Sequence, residues 1–191
     1  MAHIALFGTS ADPPTYGHQA ILEWLATQFD WVVVWAADNP FKQQQTPLQH
    51  RQAMLELLIE HLGRSVPNVR LCPSLSDART LNSVQKAQQK WPQDGLTLVV
   101  GSDVVGSLPH WYQVQELLTL IEILIVPRPG TPVTEANLKA VRELGGRLQM
   151  ATFMGPNVSS TEYRQSPDRE TTLPAIADYI RHHALYGPFR G

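Results

Sequence analysis

The way the first apolar run ends constrains the fold more than any other feature. His3-Ile4-Ala5-Leu6-Phe7 is a compact run suited to a buried parallel strand, and Ile21, Leu22, Leu25 and Phe29 return at helical spacing. Between them lies Gly8-Thr9-Ser10-Ala11-Asp12-Pro13-Pro14-Thr15-Tyr16-Gly17-His18. A strand that enters a helix through a glycine- and proline-rich loop is the opening unit of an α/β fold. Gly8 permits a sharp turn or a close approach of ligand to backbone, and the two prolines stiffen the loop while removing N–H groups that would need partners. Gly17-His18 opens the helix, where free N–H groups and the positive dipole end favour an anion. An imidazole there adds a hydrogen bond to a phosphate. A tight turn with an incidental histidine has the same outline, so this unit alone fixes no function.

The rest of the chain repeats the alternation. Trp31–Ala36 reads as a second strand, followed by the loop Asp38-Asn39-Pro40-Phe41-Lys42. A helix over His50–Leu62 carries Met54, Leu55, Leu58 and Leu62 on one face. Val69–Leu71 is a short strand, Ser74–Ala78 a polar loop, and Thr80–Trp91 a helix with Leu81, Val84 and Ala87 inward. Leu96–Val100 is the clearest strand and ends at Gly101-Ser102-Asp103, followed by a short helical turn and Pro109-His110-Trp111-Tyr112. Gln113–Leu120 is helical, Glu122–Val126 a strand stopped by Pro127-Arg128-Pro129-Gly130, Glu135–Leu144 a helix, and Leu148–Phe153 the last strand. Asn157–Thr161 starts a helix with capping chemistry, and Pro174–His183 forms the last one. Without repeats or low-complexity segments, this is one α/β domain over residues 1–191 with a mostly parallel sheet. Such sheets bind ligands beyond the carboxyl ends of their strands, which singles out the loops holding Asp12–His18, Asn39–Lys42, Gly101–Asp103, Arg128 and Ser159–Arg164.

Composition narrows the function. A net charge of −2 gives no general attraction to nucleic acid or anionic lipid, so a polyanion must be held by a local basic site. Cys72 is the sole cysteine, which excludes an internal disulfide and fits a reducing cytoplasm. It reads as a small buried residue at a strand end. No signal peptide is recognisable near the start, and the longest apolar run, Leu117–Val126, is too short to span a bilayer. No Walker A loop, nucleophile elbow, HExxH or Cys/His metal spacing occurs, and no G-x-G-x-x-G.

The first loop resembles the opening signature of the nucleotidyltransferase superfamily, written G-x-F-D-P-x-H-x-G-H in adenylyltransferases. Gly8, Asp12, Pro13, Gly17 and His18 match; Ser10-Ala11 departs in the middle, and Thr15 replaces the first histidine. Ser159-Ser160-Thr161 with Arg164 would singly pass for an ordinary N-cap and a solvated arginine. Together with the first loop it resembles the second signature, I-S-S-T-x-x-R, with Val158 for isoleucine. The resemblance extends over almost the whole chain to the bacterial nicotinate mononucleotide adenylyltransferases. Asn39-Pro40-Phe41-Lys42 is similar to their lysine-bearing phosphate loop, with Phe41 for a histidine, and Arg51 and Met54 fit the helix after it. Gly101-Ser102-Asp103 resembles the turn whose acidic residue contacts ribose, Trp111-Tyr112 the aromatic pair at the pyridine pocket, and Arg128-Pro129-Gly130 their R-P-G segment. Ala78-Arg79-Thr80-Leu81-Asn82 departs from S-Y-T-x-D, with arginine for tyrosine and asparagine for aspartate.

The resemblance implies a Rossmann-like, doubly wound sheet and a cytoplasmic transferase of NAD biosynthesis. It implies ATP contacts from Gly8, Thr9, Ser10, Thr15, Gly17, His18, Gly101, Asp103, Ser159, Ser160, Thr161 and Arg164, and mononucleotide contacts from Arg79, Thr80, Trp111, Tyr112 and Arg128. The implied reaction is attack by the 5′-phosphate of nicotinate mononucleotide on the α-phosphorus of ATP. The attacking phosphate is mostly dianionic near neutral pH, with a second pKa of about 6, so no general base is required. Charge compensation is required, and His18, Lys42, Arg164 and a Mg²⁺ carried with ATP are suited to it. Thr15 removes one cationic group, which predicts slower turnover and a gain on Thr15→His. Three alternatives stay open: a phosphopantetheine adenylyltransferase, a preference for nicotinamide mononucleotide, and a nucleotide-binding protein that has lost turnover. The oligomeric state, including a homo-oligomer, is left undecided by the sequence.

Overall fold

The computed structural model describes residues 1–38, 45–166 and 169–187. Six strands, β1 (His3–Thr9), β2 (Trp31–Ala36), β3 (Val69–Leu71), β4 (Gly95–Gly101), β5 (Glu122–Val126) and β6 (Leu148–Met150), form one sheet in the order β3-β2-β1-β4-β5-β6. Every neighbouring pair is parallel, with Leu6 beside both Val33 and Leu98. The chain winds outward from β1 to β3, then crosses back to β4 and winds the other way. The crevice between β1 and β4 is therefore where both winding directions begin, the place at which such sheets take ligands.

The strands are apolar on both faces because both are covered. Ala5, Phe7, Val32, Val34, Val99 and Leu124 pack under helices α1 (Tyr16–Gln28), α2 (Leu48–Leu62) and α7 (Pro174–His182). Ile4, Leu6, Val33, Leu98, Val100, Ile123 and Ile125 face α3 (Thr80–Lys90), α4 (Val114–Leu120) and α5 (Glu135–Glu143). Alternate residues of each strand thus feed two separate cores. Cys72 is buried just after β3, as its type suggests. Among the described residues no helix is long and apolar enough to cross a membrane.

Several boundaries differ from the sequence reading. The expected short turn after β4 is a nine-residue 3₁₀-helix, Ser102–His110, whose Ser102, Val105 and Leu108 point inward three residues apart. Leu148–Phe153 is not one long strand. Pairing with β5 ends at Met150 apart from one further bond at Ala151, and Phe153 instead stacks on Trp24. The helix after the second signature, α6, begins only at Ser160 and runs to Gln165. Helix α1 starts at Tyr16, which puts His18 at its third position, inside the first turn.

Candidate active site

A cleft of about 870 Å³ opens over the carboxyl ends of β1 and β4. Every site residue named from the sequence lines it except Lys42, which lies outside the described residues together with Asn39, Pro40 and Phe41. The loop after β1 forms the floor of the cleft. Gly8 is the last but one residue of β1, and a Cβ there would stand 2.7 Å from the Trp35 indole, so the glycine admits a ring from β2 rather than making the turn. The turn itself falls on Ala11, which is left-handed (φ 45°) and buried.

His18 is buried with both ring nitrogens engaged. The Thr15 backbone N–H donates to Nδ1 at 3.1 Å and the Thr15 hydroxyl lies 3.0 Å from the same atom. Nδ1 is therefore the unprotonated nitrogen, and Nε2–H donates to Thr9 Oγ1 at 3.0 Å. Burial first, and then the charge of Arg128, push the His18 pKa down to about 3. The histidine enters as a neutral, oriented donor rather than as a standing cation.

Helix α6 is fastened to the first loop. Arg164 Nη1 donates to the Asp12 carbonyl at 2.5 Å, Ser160 Oγ to the Pro13 carbonyl at 2.7 Å, and Thr172 Oγ1 to the Pro14 carbonyl at 2.6 Å. Three consecutive carbonyls are thereby tied to the C-terminal part of the chain. Ser159 is the N-cap of α6 in a capping box with Glu162, accepting from the Glu162 N–H at 3.1 Å while its own N–H donates to Oε2 at 2.9 Å. Arg164 Nη2 also donates to Thr161 Oγ1 at 3.2 Å. The hydroxyls and the guanidinium thus sit beside the N-terminal turn of α1 and across the cleft from Gly101. A Cβ on Gly17 would come to 3.0 Å from the Val158 carbonyl, so this glycine lets α1 and the segment before α6 meet.

At the other end, Asp103 and Arg128 pair at 3.5 Å over Gly101, where a Cβ would collide with Asp103 Oδ1. Arg128 is anchored through its backbone N–H to Ser102 Oγ at 2.9 Å. Trp111 is partly buried and Tyr112 is half exposed, with the Arg79 guanidinium 5.0 Å from the Tyr112 ring centre. Asp77 braces the approach to α3. It accepts from the Arg79 N–H at 3.1 Å and from Asn82 Nδ2 at 2.9 Å, and it pairs with Lys86 at 2.8 Å, which holds its carboxyl below the usual range. The asparagine that replaces the family's aspartate therefore serves this loop.

One end of the cleft gathers helix N-termini, hydroxyls and Arg164; the other gathers aromatic rings, Arg79 and the acidic turn at Asp103. The chain matches the model of the cytidylyltransferase-like family over residues 6–166. It belongs to that family. A probable nicotinate-nucleotide adenylyltransferase of Synechocystis is 44% identical, the alignment covering 96% of this chain and 98% of the relative. The nicotinate-nucleotide adenylyltransferase of Bacillus subtilis is 33% identical, with 97% and 99% covered. Among solved structures, a Plasmodium falciparum nicotinic acid mononucleotide adenylyltransferase complexed with NaAD superposes with a TM-score of 0.83 at 20% identity, over 97% of this chain and 98% of that one, which supports the fold. Within the family, then, the chain stands with the nicotinate-nucleotide adenylyltransferases.

Two residues that brace the site from behind its lining have no forerunner among the residues singled out from the sequence for chemistry. Arg51, placed only as part of a helix that fits the family, is 2% exposed on the apolar face of α2 and donates to the carbonyls of Thr46 (2.8 Å), Ala37 (2.7 Å) and Ser10 (3.1 Å). It pins the ends of the β2–α2 connection to the first loop. Tyr186, near the C-terminus, donates to the buried Asp12 carboxylate at 2.7 Å. The only signal for Arg51 was an arginine in register with Met54, Leu55 and Leu58; Tyr186 had none.

Proposed function

We propose that this protein is a nicotinate-nucleotide adenylyltransferase, joining ATP and nicotinate mononucleotide to give nicotinate adenine dinucleotide and pyrophosphate. The observation that carries the reading is the division of one cleft into a phosphate-binding end, where the first loop and α6 meet, and an aromatic end at Trp111 and Tyr112. The names of relatives 44% and 33% identical over nearly the full chain support it.

The triphosphate of ATP lies along the N-terminal turn of α1 and the hydroxyls of α6, with Arg164 and Lys42 as its side-chain cations. Asp103 and Gly101 take the adenosine ribose, and the pyridine stacks at Trp111 and Tyr112 with Arg79 and Thr80 at its carboxylate. The phosphate oxygen of the mononucleotide forms the new bond to the α-phosphorus as the bond to the β-phosphate oxygen breaks. The chain's work is to align the two in line and to offset the charge on the leaving pyrophosphate. His18, held by Thr15 and Thr9, donates Nε2–H to an α-phosphate oxygen once the nucleotide displaces the Thr9 hydroxyl.

Among the described residues no cluster of His, Cys, Asp and Glu is placed to cage a metal. A Mg²⁺ brought in with ATP would supply further charge compensation. The enzyme acts as a single catalytic domain in the cytoplasm. The test is pyrophosphate release from MgATP with nicotinate mononucleotide, nicotinamide mononucleotide or phosphopantetheine offered separately. Release with the first is expected, and release with the third alone overturns the reading.

A further inference from the structure

The C-terminal turn carries an unusual density of strain for so short a segment. Ala184 (φ 50°), Tyr186 (φ 66°) and Gly187 (φ 84°) are all left-handed, and two of the three bear side chains. Such residues cost on the order of 1 kcal/mol each and persist where surrounding contacts over-determine them. Leu185 N–H bonds back to the Ile180 carbonyl at 3.0 Å, the Tyr186 ring meets Tyr163 of α6 edge-on at 6.1 Å, and the Tyr186 hydroxyl donates to Asp12 Oδ1 at 2.7 Å.

Asp12 is 3% exposed, and its surroundings explain why a carboxylate is tolerated there. Oδ1 accepts from Tyr186, the Thr46 N–H approaches Oδ2 at 3.4 Å, and the buried Arg51 supplies the opposite charge. The backbone of the same residue receives Arg164 through its carbonyl. Asp12 is thus held from three directions: by α2 through Arg51, by α6 through Arg164, and by the end of the chain through Tyr186. Of the three, Tyr186 alone is a neutral donor on a strained turn, and it joins the Asp12 carboxylate, rather than its carbonyl, to α6 through the ring of Tyr163.

We infer that Tyr186 is a positioning residue for the nucleotide site, setting the distance between the first loop and α6 by bridging the Asp12 carboxylate to Tyr163. It touches no reacting atom. Its role is to add, beside the direct bonds from Arg164 and Ser160, a third brace between the first loop and α6. The inference rests on the proposed reading of the cleft for the identity of the nucleotide, but not for that of the second substrate.

The test is the Tyr186→Phe protein in its full-length form, with steady-state rates and direct ATP titration. Loss of a hydrogen bond to a charged acceptor predicts an ATP KM and Kd raised about tenfold, with the mononucleotide KM within about twofold of wild type. Asp12→Asn removes the same charge, so the double variant should be no worse than the poorer single one. Leu185→Ala loosens the same turn while keeping the hydroxyl. It should lower the unfolding midpoint and raise the ATP KM by less than Tyr186→Phe does. Wild-type ATP affinity in Tyr186→Phe, or equal losses for both substrates, overturns the inference; so does an ATP KM raised more by Leu185→Ala, which keeps the hydroxyl, than by Tyr186→Phe. ATP binding without turnover in the wild type would defeat the proposed activity and still allow this test, because the titration needs no product.

Discussion

Replacing Arg51 tests whether a single buried guanidinium organises the floor of the site. Arg51→Met keeps the length and apolar body of the side chain and deletes the donors. In the structure the guanidinium serves three carbonyls, those of Thr46, Ala37 and Ser10, and it is the cation facing the buried Asp12. An acceptor stripped of its partner costs about 1–3 kcal/mol when water cannot replace the donor. All three carbonyls lie in connections that water reaches in part, so about 1 kcal/mol each is the appropriate end of that range. Asp12, left without its cation but still accepting from Tyr186 and Thr46, adds on the order of 1–2 kcal/mol. The sum, about 4–5 kcal/mol, is a large part of the roughly 5–15 kcal/mol that holds a domain of this kind together. Urea unfolding followed by far-UV circular dichroism measures it directly. Arg51→Lys should recover less than half, because an ammonium cannot reach three carbonyls in a planar fork. A loss below about 1 kcal/mol for Arg51→Met would refute the reasoning, since it would mean water satisfies all three carbonyls and Asp12 needs no counter-charge.

Other consequences are as specific. His18 has a folded pKa of about 3 against 6.5 when unfolded, so the unfolded chain binds the extra proton between those values. Stability tied to neutral His18 is complete above pH 6.5 and falls as pH drops toward 3, by up to roughly 4–5 kcal/mol. His18→Asn should flatten that limb of the stability–pH curve, and an unchanged slope would remove the buried neutral histidine from the explanation. Gly8→Ala drives a methyl against the Trp35 ring and should destabilise by about 1–3 kcal/mol, readable as a lower thermal midpoint; a neutral result would show that the indole can move aside. Arg164→Ala removes a bond to the Asp12 carbonyl as well as a cation, and should raise the ATP KM more than Ser160→Ala does. Equal effects would mean that the charge contributes nothing beyond fastening α6.

Much of the sheet could be read from the sequence, and the reason is local. Trp31–Ala36 and Glu122–Val126 are runs whose every inward residue faces a covered side, so an unbroken apolar stretch already says strand. The same rule overextended β6. Ala151 and Phe153 are as apolar as a strand requires, but Phe153 is spent on Trp24 rather than on a ladder. The loops of the site were legible because their residue types are unusual for loops after strands, as with Gly17-His18 or Ser159–Thr161. What those residues do was less legible. The neutrality of His18 depends on its burial and on the charge of Arg128, a residue 110 positions away in the chain, and no local pattern carries that. Arg51 on an apolar helical face reads as a charge at the edge of a stripe until the carbonyls of three separate connections are seen to converge on it. Tyr186 is invisible for the same reason, since its partner Asp12 lies at the opposite end of the sequence.

The most direct test of the central claim is the release of pyrophosphate by the purified protein from MgATP and nicotinate mononucleotide, run beside nicotinamide mononucleotide and phosphopantetheine. Arg79 beside Tyr112 at the aromatic end of the cleft predicts the highest kcat/KM with the acid pyridine. Silence with every mononucleotide, in a protein that still binds ATP, would contradict it and leave a nucleotide-binding protein in place of an enzyme.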